Sequence, residues 1–144
     1  MIYLDASFLV SLYCPDANSV VAAGLLQKAE ESLLISALSE VETINAFGLR
    51  VFRKEITIQR AEISQRDFDR DLRAGIFQLR PLPEAAFARA RKLSRQTTPI
   101  LGTRTADLLH VAAALELGVA GFFSFDLHQR KMAETAGLKL NPQF

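Results

Sequence analysis

Apolar residues along this chain come in two alternating patterns: short unbroken runs, and longer stretches in which they recur every three or four positions. The first pattern suits a strand buried on both faces, the second a helix with one buried stripe. Met1–Leu4 is such a run, ending at Asp5, and predicts a strand. From Ala6, the positions Phe8, Leu9 and Leu12 mark a helix that Pro15 closes. Asn18 or Ser19 can cap a second helix carrying Val20, Val21, Leu25 and Leu26. Leu33-Leu34-Ile35 is the next strand. Ser39 then opens a long helix with Val41, Ile44, Phe47, Val51 and Phe52 at helical spacing, and another runs from Thr57 to about Ala74 before Gly75.

The same alternation continues to the end. Ile76–Leu79 predicts a third strand, and Pro83 begins a helix reaching about Ser94. Thr97–Thr105, with Pro99 and Gly102, reads as a loop. Thr105 caps an alanine- and leucine-rich helix ending at Gly118. Gly121–Phe125 is a strand, Leu127–Ala136 a helix followed by Gly137, and Leu138–Leu140 a last short strand. Strands alternating with helices imply a three-layer α/β/α domain with a mostly parallel central sheet. No repeat, low-complexity tract or composition shift marks a linker, so residues 1–144 are expected to form one domain.

Composition narrows the classes. Apolar residues make up 49% and charged residues 23%, as in an ordinary globular protein. Asp5 interrupts the apolar start, no basic flank precedes it, and no apolar stretch is long enough for a membrane span. Cys14 is the single cysteine and has no internal disulfide partner, which suits a reducing cytoplasm. A net charge of +1 gives no support to nucleic-acid binding and does not exclude it.

Candidate chemistry lies in where the acids fall. Asp5 and Asp126 follow strands, while Glu42 and Asp107 sit in the first turns of helices. In a parallel α/β sheet, strand ends and the starts of following helices meet on the edge where ligands bind. Carboxylates gathered there repel one another and call for a cation, and an all-oxygen set suits Mg²⁺ or Mn²⁺. Each acid alone has a plainer account. Asp5 and Asp126 can be N-caps, Asp107 can complement a helix dipole, and Ser39 with Glu42 reads as a capping box. Four at corresponding edges favour a site. Glu40 competes with Glu42, because residues two apart point to different sides of a helix, and spacing leaves that choice open. His110, one turn beyond Asp107, is either a ligand or a hydrogen-bonded orienting residue.

These residues resemble the PIN-domain family. Tyr3-Leu4-Asp5-Ala6-Ser7-Phe8-Leu9-Val10 looks like its first motif, and Ile35-Ser36-Ala37-Leu38-Ser39-Glu40-Val41-Glu42 its second, which selects Glu42 over Glu40. Thr105-Ala106-Asp107-Leu108-Leu109-His110 is close to the third, and Phe123-Ser124-Phe125-Asp126 to the last. The resemblance spans nearly the whole chain. It implies a PIN fold and a Mg²⁺- or Mn²⁺-dependent ribonuclease. Asp5, Glu42, Asp107 and Asp126 would be its catalytic and metal-binding acids, with Ser7, Ser124 and His110 supporting them. Chains of this size resemble VapC-type toxins of toxin–antitoxin pairs, which implies a cytoplasmic protein with an RNA substrate, an antitoxin partner and homodimerisation. The alternative is a catalytically silent PIN-fold module that binds RNA or protein.

Other signals carry less. Asp67, Asp69 and Asp71 mimic the start of an EF-hand loop, yet Leu72 and Gln78 stand where glycine and glutamate belong. Ser7 stands where an aspartyl-phosphate enzyme would need a second aspartate. There is no phosphate-cradling glycine loop. Arg50, Arg53 and Lys54, downstream of Glu42, and Arg104, beside Asp107, are the candidates for RNA phosphates.

Overall fold

The computed structural model describes residues 1–143. The elements run β1 (Ile2–Leu4), α1 (Ala6–Tyr13), α2 (Ser19–Lys28), β2 (Leu33–Ser36), α3 (Ala37–Phe52), α4 (Ile58–Arg73), β3 (Gln78–Arg80), α5 (Ala85–Leu101), α6 (Thr105–Glu116), β4 (Gly121–Phe123), α7 (Leu127–Thr135) and β5 (Lys139–Asn141). All five strands pair in parallel in the order β3-β2-β1-β4-β5. The mixed α/β architecture with a parallel sheet between helices is the expected one.

The side chains of each strand alternate between the two faces, so the apolar runs feed two cores. Ile2, Leu4, Leu33, Ile35 and Phe123 join the helices α1 to α4 in one cluster. Tyr3, Leu34 and Phe122 join α5 to α7 in the other. Tyr3 and Phe122, on adjacent strands, stack with ring centroids 5.4 Å apart. β3 is one of the two edge strands, and its Gln78, Leu79 and Arg80 are all exposed. Among the described residues no helix is long and apolar enough to cross a membrane.

Several boundaries differ from the sequence reading. Thr97 to Leu101 is helix, not loop, because Pro99 lies in the last turn of α5 and costs only a terminal hydrogen bond. Gly102, at φ 62°, ends that helix in the left-handed conformation its lack of a Cβ permits. α3 starts at Ala37 with Ser36 as its cap, its hydroxyl accepting from the backbone N–H of Ser39 at 3.2 Å. Ser39 therefore lies inside the helix and forms no capping box with Glu42. Arg104, not Thr105, is the residue before α6. β3 and β5 are each shifted toward the C-terminus, β4 ends at Phe123, and α2 lacks a side-chain cap from Asn18. Val41, Ile44 and Phe52 do not face the core: they are 63%, 40% and 82% exposed, and of the predicted stripe on α3 only Phe47 is fully buried.

Phe122 is fully buried at the centre of one core. Phe122→Ala is expected to lower unfolding free energy by about 3–5 kcal/mol, as large-to-small core changes do. Urea denaturation monitored by circular dichroism measures this, and a loss below about 1 kcal/mol would show that the core collapses around the gap.

Candidate active site

The strand order reverses direction at β1, whose neighbours are β2 on one side and β4 on the other. The crevice beyond the carboxyl ends of β1 and β4 is thus the switch point of the sheet, where open parallel sheets bind ligands. A pocket of about 210 Å³ lies there, lined by Asp5, Ala6, Ser7, Glu42, Arg104, Ala106, Asp107, Asp126 and Gln129. All four predicted acids line it. Glu40 does not, so α3 presents Glu42 to the pocket.

Asp5 and Asp126 are both N-caps and pocket residues. Asp5 Oδ1 accepts the N–H of Phe8 at 2.8 Å and fixes the start of α1. Asp126 Oδ1 accepts the N–H groups of His128 and Gln129 at 2.9 and 3.0 Å and fixes α7. Capping holds each carboxylate in place and leaves Oδ2 for other contacts. Asp107 lies three residues into α6 and accepts the backbone N–H of Arg104 at 3.4 Å. Asp5 and Asp107 are nearly inaccessible to solvent.

Serines join the two central turns. The Ser7 hydroxyl donates to Asp5 Oδ1 at 2.8 Å and accepts from the N–H of Phe125 at 2.9 Å and of Asp126 at 3.2 Å. Ser124 Oγ accepts the N–H of Asp126 at 3.0 Å. The turn after β1 is thereby tied to the turn after β4.

Glu42 is held from behind. His110 Nε2 approaches Glu42 Oε2 at 2.5 Å, and His110 Nδ1 lies 2.9 Å from the Tyr3 hydroxyl. A carboxylate only accepts, so a proton is assigned to Nε2. Tyr3 Oη is in turn 2.6 Å from Ser36 Oγ and 3.1 Å from Ser39 Oγ. Burial raises the Tyr3 phenol well above its ordinary range, which keeps it a neutral donor. Tyr3, Ser36, Ser39 and Gln129 escaped the sequence reading as site residues. Tyr3 sits inside a buried apolar run, where only its hydroxyl hinted at a polar task.

Among the predicted phosphate-binding residues, Arg50 donates to Asp16 at 3.0 Å and to the Cys14 carbonyl, tying α3 to the end of α1. Arg53 is exposed and lines a wider groove of about 570 Å³ that shares Ser7, Glu42, Arg104 and Asp126 with the acidic pocket. Arg104 bridges Asp107 and Asp126. Lys54 is also exposed, at φ 60° in the turn after α3.

The oxygen-rich lining fits a hard divalent cation. Burial raises the Asp5 carboxyl above its ordinary pKa, against the opposing effects of His110 and of hydrogen bonds from Phe8 and Ser7. A cation would offset that penalty. The Gln129 side-chain carbonyl is buried at the pocket with no hydrogen-bond partner, an oxygen left for an ion or its water. Among the described residues no three His, Cys, Asp or Glu side chains are already gathered closely enough to grip an ion. Asp107 and Asp126 hold Arg104, and Glu42 holds His110.

The sequence matches the PIN domain family over residues 2–135. The chain belongs to the PIN-domain family. Solved structures agree with that fold. Mycobacterium tuberculosis VapC20, described as a sarcin-ricin loop cleaving toxin, superposes with a TM-score of 0.70 at 17% identity, covering 96% of both chains. FitAcB from Neisseria gonorrhoeae gives 0.66 at 18% identity, over 97% of this chain and 96% of that one. VapBC2 from Rickettsia felis, bound to a DNA fragment from their promoter, gives 0.65 at 16% identity over 98% of each. No curated protein sequence matches. This PIN domain thus places Asp5, Glu42, Asp107 and Asp126 around one pocket at the switch point of its sheet.

The raised Asp5 carboxyl has a consequence for stability. The folded state keeps this proton to higher pH than the unfolded chain does, so the contribution is best below the unfolded pKa and is lost as pH rises through the folded one. Asp5→Asn keeps an oxygen to cap Phe8 and removes the charge. In chelator, it is expected to flatten the loss of stability with rising pH and to raise the neutral-pH melting temperature by roughly 3 °C. Thermal melts across a pH series test this; an unchanged pH slope would mean the Asp5 charge costs the fold nothing.

Proposed function

We propose that this PIN domain is a divalent-metal-dependent endoribonuclease, the toxin of a toxin–antitoxin pair. The observation that carries the proposal is the convergence of Asp5, Glu42, Asp107 and Asp126 on one pocket at the β1/β4 switch point. Asp5 and Asp107 are the direct ligands of Mg²⁺ or Mn²⁺, with Asp126 and Glu42 completing the set. Such an ion, when bound, lowers the pKa of a water and neutralises charge on a phosphodiester under attack. The protein's own part is placement. Ser7 and Ser124 lock the two aspartate turns, Tyr3 orients Glu42 through His110, and the buried floor excludes bulk water from Asp5 and Asp107. Arg53 and Arg104 stand on the open side, where the groove continues, and are placed to meet RNA phosphates.

The partner assignment draws on the neighbours: a toxin that cleaves the sarcin-ricin loop, and a VapBC pair on promoter DNA. Large apolar side chains exposed on α3 and α4, among them Phe52 and Ile58, support a protein partner. The proposal includes an antitoxin, a second copy of the chain and cytoplasmic action.

Incubating purified protein with single-stranded and structured RNA in Mg²⁺, Mn²⁺ or chelator tests the reading. Asp5→Asn and Asp107→Asn, confirmed as folded, are expected to lose activity by on the order of 100-fold or more. Glu40→Gln, which lies outside the pocket, is expected to cut like the parent. Absence of cutting on every RNA together with absence of metal binding would leave a silent PIN-fold binding module instead.

A further inference from the structure

Arg104 is out of place as a helix-starting residue. It precedes α6, where exposed N–H groups seek acceptors and the dipole favours negative charge. A guanidinium offers only donors and brings the wrong sign. Helix stability does not explain it; the carboxylates do.

Its contacts are specific. Nε lies 3.0 Å from Asp107 Oδ2, and Nη2 lies 3.3 Å from Asp107 Oδ1 and 3.1 Å from Asp126 Oδ2. The fork therefore spans two acids from different elements across the mouth of the pocket. Asp126 Oδ1 is committed to capping α7, so Oδ2 is the oxygen this residue has left for a cation, and Arg104 holds it. The Arg104 side chain is 69% exposed, while Asp107 beneath it is 6% exposed. The guanidinium can swing away into solvent; the carboxylate cannot.

We propose that Arg104 is a resident counter-ion that competes with the divalent cation for Asp107 and Asp126, and that once displaced it becomes the phosphate-gripping group at the pocket mouth. This rests on the metal-dependent nuclease reading. Before metal arrives, the guanidinium limits repulsion between the two acids and keeps them together. The exchange is feasible because the guanidinium end of the pair is mostly exposed and the Asp126 end partly so, which weakens the ion pair. Afterwards the same planar fork matches phosphate as well as it matched carboxylate. One residue serves the site before and after loading.

The test measures Mn²⁺ binding by titration calorimetry in the absence of RNA, on the parent chain, Arg104→Gln and Arg104→Lys, each checked for folding. A competing cation weakens metal binding, so Arg104→Gln is expected to bind Mn²⁺ tighter by a factor of about three to five, the range set by an ion pair whose cation is mostly exposed. Arg104→Lys, with charge but no fork, is expected to fall between. Binding of a non-cleavable single-stranded 2′-O-methyl RNA supplies the second readout. With Mn²⁺ present, the parent should show a salt slope steeper than Arg104→Gln by roughly 0.7, one phosphate contact, and no such difference in chelator. A folded Arg104→Gln with Mn²⁺ affinity equal to or weaker than the parent's overturns the inference and makes Arg104 a structural brace, while leaving the nuclease reading intact. If neither protein binds Mn²⁺, both the inference and the metal-dependent reading fall.

Discussion

Two adjacent parallel strands release their chains on the same edge of the sheet, and in this protein both continue directly into an acid-led helix. β1 leads to Asp5 and α1; β4 leads, across Ser124 and Phe125, to Asp126 and α7. The pairing of these strands therefore forces two carboxylates toward one crevice whatever the rest of the chain does. Asp107 and Glu42 add to the charge there. Much of the local structure answers that concentration of negative charge. Ser7 shares its hydroxyl between the two turns, Arg104 lies across the mouth, and His110 stands behind Glu42. The helices contribute too, since α1, α6 and α7 aim their positive ends at the pocket from Asp5, Asp107 and Asp126.

The polar network behind Glu42 shows how a site residue on a helix surface is fixed from the interior. Tyr3 belongs to the centre of the sheet, with Phe122 stacked on its ring and two serines of the β2–α3 junction on its hydroxyl. From that rigid position it holds His110, and His110 holds Glu42. Ser39 also donates to the Leu4 carbonyl, one residue before Asp5. The Glu42 and Asp5 sides of the pocket are thus tied to the same strand.

Most of the fold was legible because the apolar runs are short, bounded, and separated by helical spacing. Asp5, Asp107 and Asp126 were legible because each falls at an element boundary, where a strand-to-helix fold exposes side chains to a shared edge; Glu42 lies in the second turn of α3, not the first, and was singled out by the motif resemblance. What stayed hidden had physical reasons. Pro99 looks like a breaker, yet in a last turn it removes only a bond that fraying would weaken anyway. Ser39 looked like a cap because Ser-x-x-Glu is a capping signature, but Ser36 starts the helix a turn earlier and turns Ser39 inward. Val41 and Phe52 read as core from spacing alone; periodicity reports a face, not what covers it. Tyr3 and Gln129 reach the site through tertiary contacts between residues distant in sequence, which no local pattern encodes.

Capping and site chemistry are often set against each other as explanations for an acid at a helix start, and this chain lets them be separated. α3 and α4 are capped by Ser36 and Thr57, neutral hydroxyls that suffice to bind an N–H. α1 and α7 use aspartate, and Asp5 does so in full burial, where a charge is costly enough to raise its pKa. α6 is preceded by an arginine that the helix itself has reason to reject. Where a side chain does cap a helix, the charged caps are those of α1 and α7, and both helices start at the pocket, as α6 does. Stability alone would favour serine or asparagine at Asp5 and an acceptor at Arg104. The charges there answer to a requirement of the pocket, and the proposed exchange of a hard cation against a guanidinium would meet that requirement with the residues present.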